Sequence, residues 1–126
     1  MVAAPPPSPP AIVRQWSAAL NANDNAAAAR LFAPGARVIQ PGVDARLTPK
    51  LALAFNASLP CAGRIVHMTV RGNDVVATFV LGERPQHRCD GPGQKAAALF
   101  VVHDGKITLW EQVAVPGTKQ KSGVPA

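Results

Sequence analysis

The chain has 126 residues, of which 48% are hydrophobic and 16% charged, and its net charge is +6. That content supports a packed core in a single domain and argues against a disordered chain. The basic residues fall singly, without the aromatic-interleaved stripe that nucleic acid requires, and no apolar run approaches the roughly 20 residues that span a bilayer. No nucleic-acid partner and no membrane span are therefore expected.

In chain order, residues 1–10 read as a flexible, Pro-rich lead-in without the basic start and apolar core of a signal peptide. Ser8 before Pro9 suits a helix N-cap, with proline where its missing N–H is harmless. Ile12, Val13, Trp16, Ala19 and Leu20 then repeat at helical spacing. Asn21 to Asn25 interrupts the stripe, and Asp24 can cap a second helix over Ala26 to Phe32, ended by Pro34-Gly35. Ala36 to Gln40 reads as a short strand closed by Pro41-Gly42. Thr48-Pro49 restarts a helix, with Leu51, Phe55 and Leu59 on one side and Pro60 as its stop.

The second half is strand-like. Arg64 to Arg71 and Val75 to Leu81 flank Gly72-Asn73-Asp74, a hairpin signal. A polar loop over Gly82 to Gln94 precedes the closing hairpin, KAAALFVVHDGKITLWEQVAV, which turns at His103-Asp104-Gly105. Simple alternation places Ile107, Leu109, Glu111 and Val113 on one face of the last strand and Thr108, Trp110 and Gln112 on the other. Residues 11–115 form the domain and 116–126 a flexible tail. Strands gathered after helices argue an α+β fold.

This order, together with IVRQWSAALNAND, LFAPGARVIQP and ALFVVHDGKITLW, resembles the nuclear transport factor 2-like superfamily, in particular SnoaL-like and limonene-epoxide-hydrolase-like proteins. The resemblance covers Ile12 to about Val115. It implies a cone, in which a curved antiparallel sheet and three helices in the N-terminal half enclose an apolar pocket. Carried over residue by residue, the epoxide-hydrolase Arg-x-Asp pair falls on Val80 and Gly82. In a shifted register it falls on Glu83-Arg84, with Gln86 in place of the acid. The second aspartate of that family is Gln112 here, and its tyrosine and asparagine are Val38 and Gln40. For the steroid-isomerase type, the base is at Gln40, the oxyanion tyrosine at Trp16 and the protonated acid near Ala97. An amide does not titrate usefully, so neither mechanism is inherited intact.

The expected pocket lining is Trp16, Val38, Gln40, Phe55, Val80, Trp110 and Gln112, suited to a small apolar or amphipathic ligand. Gln40 and Gln112 either contact that ligand or bond each other or buried water. A second reading is a cofactor-independent epoxide hydrolase, isomerase, cyclase or dehydratase with a relocated base, for which His67 and Asp44 are the candidates. A third is an interaction module that dimerises through the outer sheet face. Glu111 is expected to face away from the pocket, toward a partner subunit or an arginine such as Arg64. No cofactor is implied, and three histidines at unrelated positions make no metal motif. Across the first hairpin Cys61 falls near Arg84, a few residues before Cys89, so a disulfide is reachable. The alternative is two buried thiols. A bridge favours an exported protein and free thiols a cytoplasmic one.

Overall fold

The computed structural model describes residues 5–117. In chain order these form α1 (Pro9–Asn21), α2 (Asn25–Arg30), β1 (Phe32–Gln40), β2 (Val43–Leu47), α3 (Pro49–Ser58), β3 (Ala62–Arg71), β4 (Asp74–Gly82), β5 (Lys95–His103) and β6 (Lys106–Val113). Each helix starts as its capping residues dictate. Ser8 Oγ accepts from the Ala11 N–H, Asp24 Oδ1 from Ala27 and Thr48 Oγ1 from Leu51, satisfying first-turn donors that have no partner within the helix. The outer parts of the expected lead-in and tail, residues 1–4 and 118–126, lie outside the described residues.

The strands form one curved, unclosed sheet in the order β2-β1-β6-β5-β4-β3. β1 runs parallel to β6 while the other pairings are antiparallel, so the sheet is mixed rather than wholly antiparallel. A parallel pair needs a long crossover, which α3 and the four intervening strands supply. The helices pack on the inner face, where α1 lies against β3, β4 and β5.

Three expectations are corrected here. The second helix ends at Arg30 and β1 already begins at Phe32; Pro34-Gly35 falls inside the strand as an irregularity, with Gly35 at φ +80°. β2 was not anticipated: VDARL does alternate apolar and polar residues, but it is an edge strand of only five residues, exposed along most of its length. On α3 the inward stripe is Ala52, Phe55, Asn56 and Leu59, and Leu51 is exposed.

A bulge also changes the face assignment in β6. The β5 register steps from Val101↔Leu109 to Val102↔Ile107, leaving Thr108 unpaired. One extra residue inverts the alternation. Ile107 therefore joins Trp110 in the core instead of facing the other way.

All six aromatic residues of the chain belong to one connected cluster. Trp16 meets Phe100 and Phe79 edge-on at 5.3 and 6.0 Å, and Phe55 links Trp110 at 5.1 Å to Phe32 at 6.1 Å. Edge-to-face contacts of this kind are the preferred aromatic geometry.

Candidate functional site

The inner face of the sheet leaves a cavity of about 310 Å³ between α1, the α3–β3 connection and strands β4 to β6. Its existence follows from residue size. Ala96, Ala97 and Ala98 on β5, with Ala62 and Gly63 on β3, line it where branched side chains would fill it. Gly63 also lets the strands close up, since a Cβ there would lie 3.1 Å from Phe79 Cβ and from the Val80 carbonyl oxygen. The same glycine anchors α1. Asn21 donates through Nδ2 to the Gly63 carbonyl and accepts from its N–H, both at 3.0 Å.

Of the residues expected to line the pocket, Trp16, Gln40, Trp110 and Gln112 do so. Gln40 is half-buried and Gln112 exposed, which places the amides toward the rim. Neither side chain hydrogen-bonds the other or any other described residue. Val38 and Phe55 stand behind this wall as core: Val38 is the strand partner of Trp110, and Phe55 packs on its ring. Val80 is turned away. On β4 it is Val75, Ala77 and Phe79 that are buried inward, so Val80 faces a separate shallow groove with Arg64 and Glu83.

The two relocated-base candidates both lie outside the cavity. Asp44 is exposed on β2 and grips Arg37 with two hydrogen bonds at 2.8 and 2.7 Å. That contact pulls its pKa below the ordinary carboxylate value and raises that of Arg37. His67 is exposed and lies 3.4 Å from Thr69 Oγ1. A register shift between Ile65 and His67 accounts for this: Ile65 and Met68 pack on the core, which leaves His67 and Thr69 outward. Glu111 does face away from the cavity, but the arginine whose pKa it raises is Arg37 and not Arg64.

Asn56 and Asp90, not singled out from the sequence, shape the site together with Arg84, which the sequence offers only as the shifted-register arginine of the epoxide-hydrolase type. Asn56, fully buried, accepts from Trp16 Nε1 at 2.8 Å and donates to the Ala52 carbonyl at 2.8 Å. Arg84, buried in the opposite sense to its exposed neighbours, donates to Asn56 O, Leu59 O, Asn23 Oδ1 and Asn25 Oδ1. Its acceptors are all neutral, and burial lowers its pKa. Asp90 lies at the rim and is the one ionisable side chain among the described residues lining the cavity. No local motif marks it; the Cys61–Cys89 disulfide brings it there by fastening the β4–β5 loop beside Pro60. Cys61, Cys89 and Asp90 are close enough together to suggest metal ligands, but the sulfurs are bonded to each other and offer no thiolate.

An α+β cone with a hydrocarbon-walled cavity and an amide rim defines the class. The sequence profile of the SnoaL-like domain family matches residues 13–110, and the chain belongs to that family. Among solved structures, it is similar to a nuclear transport factor 2-like protein of unknown function from Cytophaga hutchinsonii, with a TM-score of 0.72, 17% identity, and coverage of 92% of this chain and 96% of the other. It is similar to a proposed polyketide cyclase from Sinorhizobium meliloti, with a TM-score of 0.66, 22% identity, and coverage of 82% and 94%. It is also similar to a protein of ketosteroid isomerase-like fold from Catenulispora acidiphila, solved with trimethylamine, with a TM-score of 0.66, 20% identity, and coverage of 85% and 87%. No curated protein matches the sequence significantly. No helix among the described residues is long and apolar enough to cross a membrane.

Proposed function

We propose that this protein binds a small, neutral, largely apolar molecule in the cavity and holds it without transforming it. The observation that carries this reading is the amides of Gln40 and Gln112, without a hydrogen-bond partner among the described residues, above walls of Trp16, Phe79, Leu81 and Trp110. A mostly apolar hollow with a few convergent polar groups is the usual form of a ligand site. Amides there offer hydrogen bonds but no proton transfer. The test is native mass spectrometry of whatever co-purifies with the full chain, followed by thermal-shift screening of bicyclic ketones, terpenoids and polyketide fragments. A retained or stabilising small molecule supports the reading; a protein that shifts with none of them overturns it.

A second reading is an enzyme of the cyclase or isomerase type, and Asp90 is the observation that favours it, because a carboxylate at the rim is a possible base. Turnover of any bound compound, lost in Asp90→Asn, would establish it over simple binding.

The outer sheet face supports a homodimer. Val76 pairs with Leu99, and Val101 with Leu109, on the side opposite the core. A Leu99→Lys chain that stays monomeric while the parent is dimeric in light scattering supports this; a monomeric parent overturns it. The disulfide fits an oxidising, extracytoplasmic setting.

A further inference from the structure

The Cys61–Cys89 bridge joins two sides of the cavity's mouth, and it holds a segment that little else holds. On one side Pro60, Cys61 and Ala62 line the hollow; on the other stands Asp90, the residue after Cys89. The loop between β4 and β5 is tied to the body at its two bases. Arg84 donates to the Asn56 and Leu59 carbonyls at its start, and the Gly93 N–H donates to the Leu81 carbonyl at 2.8 Å near its end. Between these bases the hydrogen bonds of residues 85–92 all close within the loop. The His87 N–H donates to the Arg84 carbonyl at 3.1 Å, the Cys89 N–H to Glu83 Oε1 at 3.0 Å, and the Gln94 N–H to the Gly91 carbonyl at 3.1 Å. Asp90 Oδ1 lies 3.5 Å from Cys61 Sγ, but a bridged sulfur has no proton to donate. Among the described residues, the disulfide is therefore the one bond between this segment and the rest of the fold. Gln86 also sits at φ +65°, a conformation that disfavours a residue with a Cβ. An exposed segment so weakly tied opens locally once its tie is cut.

We propose that the Cys61–Cys89 disulfide is a redox latch on the cavity: bridged, it keeps Asp90 and its loop at the mouth and retains the ligand; reduced, it frees the loop and lets the ligand go. The proposal rests on the binding reading above and adds its regulation. The reductant is a dithiol. One of its thiolates attacks Cys61 Sγ, because Cys61 is the more exposed member and Cys89 is only 4% exposed. The S–S bond breaks, and Cys89 leaves with the electron pair and takes up a proton. The second thiolate of the reductant then displaces Cys61 from the mixed disulfide, and Cys61 takes up the other proton. The chain gains two electrons and two protons, both supplied by the dithiol, which ends as its own disulfide. Coupling between two events is reciprocal, so a ligand that favours the bridged form must make the bridge harder to reduce by the same factor.

The test uses the full chain labelled with nitrogen-15, dithiothreitol as the reductant, and tetralone, camphor and naphthol as probes. On reduction the amide signals from Gln86 to Gly91 are expected to collapse to narrow, unstructured positions while those of the sheet stay dispersed. A probe that binds the bridged chain is expected to bind the reduced chain about tenfold more weakly. At saturation the same probe should make the bridge about 30 mV harder to reduce in a dithiothreitol redox buffer, which is that tenfold read as a potential. Cys89→Ser changes a residue outside the cavity wall and removes the latch. It is expected to bind as weakly as the reduced chain and to ignore the reductant. A reduced chain that stays folded and binds equally well, or a Cys89→Ser chain that binds as tightly as the bridged one, overturns the latch and leaves the binding reading standing. A reduced chain that unfolds outright makes the bridge a structural staple and overturns the latch too. If the bridged chain binds none of the three probes, the binding reading fails and this inference fails with it.

Discussion

Arg84 Nη2 donates to Asn23 Oδ1 at 2.9 Å, joining residues that are 61 positions apart in the chain. Asn23 sits at φ +57°, a conformation asparagine tolerates better than most residues, and this geometry aims its side chain at the guanidinium. With the Asn56 and Leu59 carbonyls, the arginine ties the α1–α2 turn, the end of α3 and the loop after β4 at one point. Arg84→Met is expected to destabilise the fold by about 3 kcal/mol, since it strands buried acceptors. Arg84→Lys should recover only part of this, because an ammonium cannot reproduce the planar fork. Urea unfolding checks both; an unchanged midpoint for Arg84→Met would show the knot to be dispensable.

Trp16 and Asn56 should behave as a coupled pair. Asn56→Leu leaves an indole donor unmet and Trp16→Phe leaves an amide oxygen unmet, so each single change should cost about 2 kcal/mol. The double variant should cost less than the sum by about 1 kcal/mol, measured in a double-mutant cycle.

The disulfide closes a loop of 28 residues' separation. Chain entropy gives it about 3.5 kcal/mol of stabilisation. Unfolding with and without a thiol reductant should differ by about that amount, and two free thiols titrated in unfolded, unreduced protein would disprove the bond.

Asp44 predicts a pH dependence. Its folded pKa is lowered, chiefly by the hydrogen bonds from Arg37, so the contact stabilises at pH values above the unfolded carboxylate pKa. That contribution disappears as pH falls through the folded pKa. Wild type should exceed Asp44→Asn in stability near neutrality by a small margin, and the two denaturation curves should coincide in strong acid. Because both partners are exposed, added salt should shrink the margin.

Ala98 tests the cavity itself. It is buried, lines the hollow and pairs with Gln112. Ala98→Leu should fill the space, abolish the stabilisation by any ligand seen in thermal shift, and cost about 1–2 kcal/mol from crowding. Undiminished ligand stabilisation in a folded Ala98→Leu protein would place binding elsewhere.

Local chemistry written in consecutive residues was legible from the sequence alone. Ser8-Pro9, Asp24 and Thr48-Pro49 announce helix starts through their capping oxygens, and Asp104-Gly105 announces a hairpin through its positive φ angles. Together with the family motifs, these determine the cone and place Trp16, Gln40, Trp110 and Gln112 on its inner wall. Only the tertiary structure decided which way the side chains beyond an irregularity point. The bulges near Val66 and Thr108 invert the alternation, sending His67 outward and Ile107 inward, and no residue type marks either position. It also decided which polar groups meet: Arg84 with Asn23, Trp16 with Asn56, and Asp90 with the rim, while Trp110 Nε1 has no acceptor among the described residues. Those outcomes depend on distances between segments far apart in the chain, and such distances exist only once the sheet has curved and the helices have closed over it.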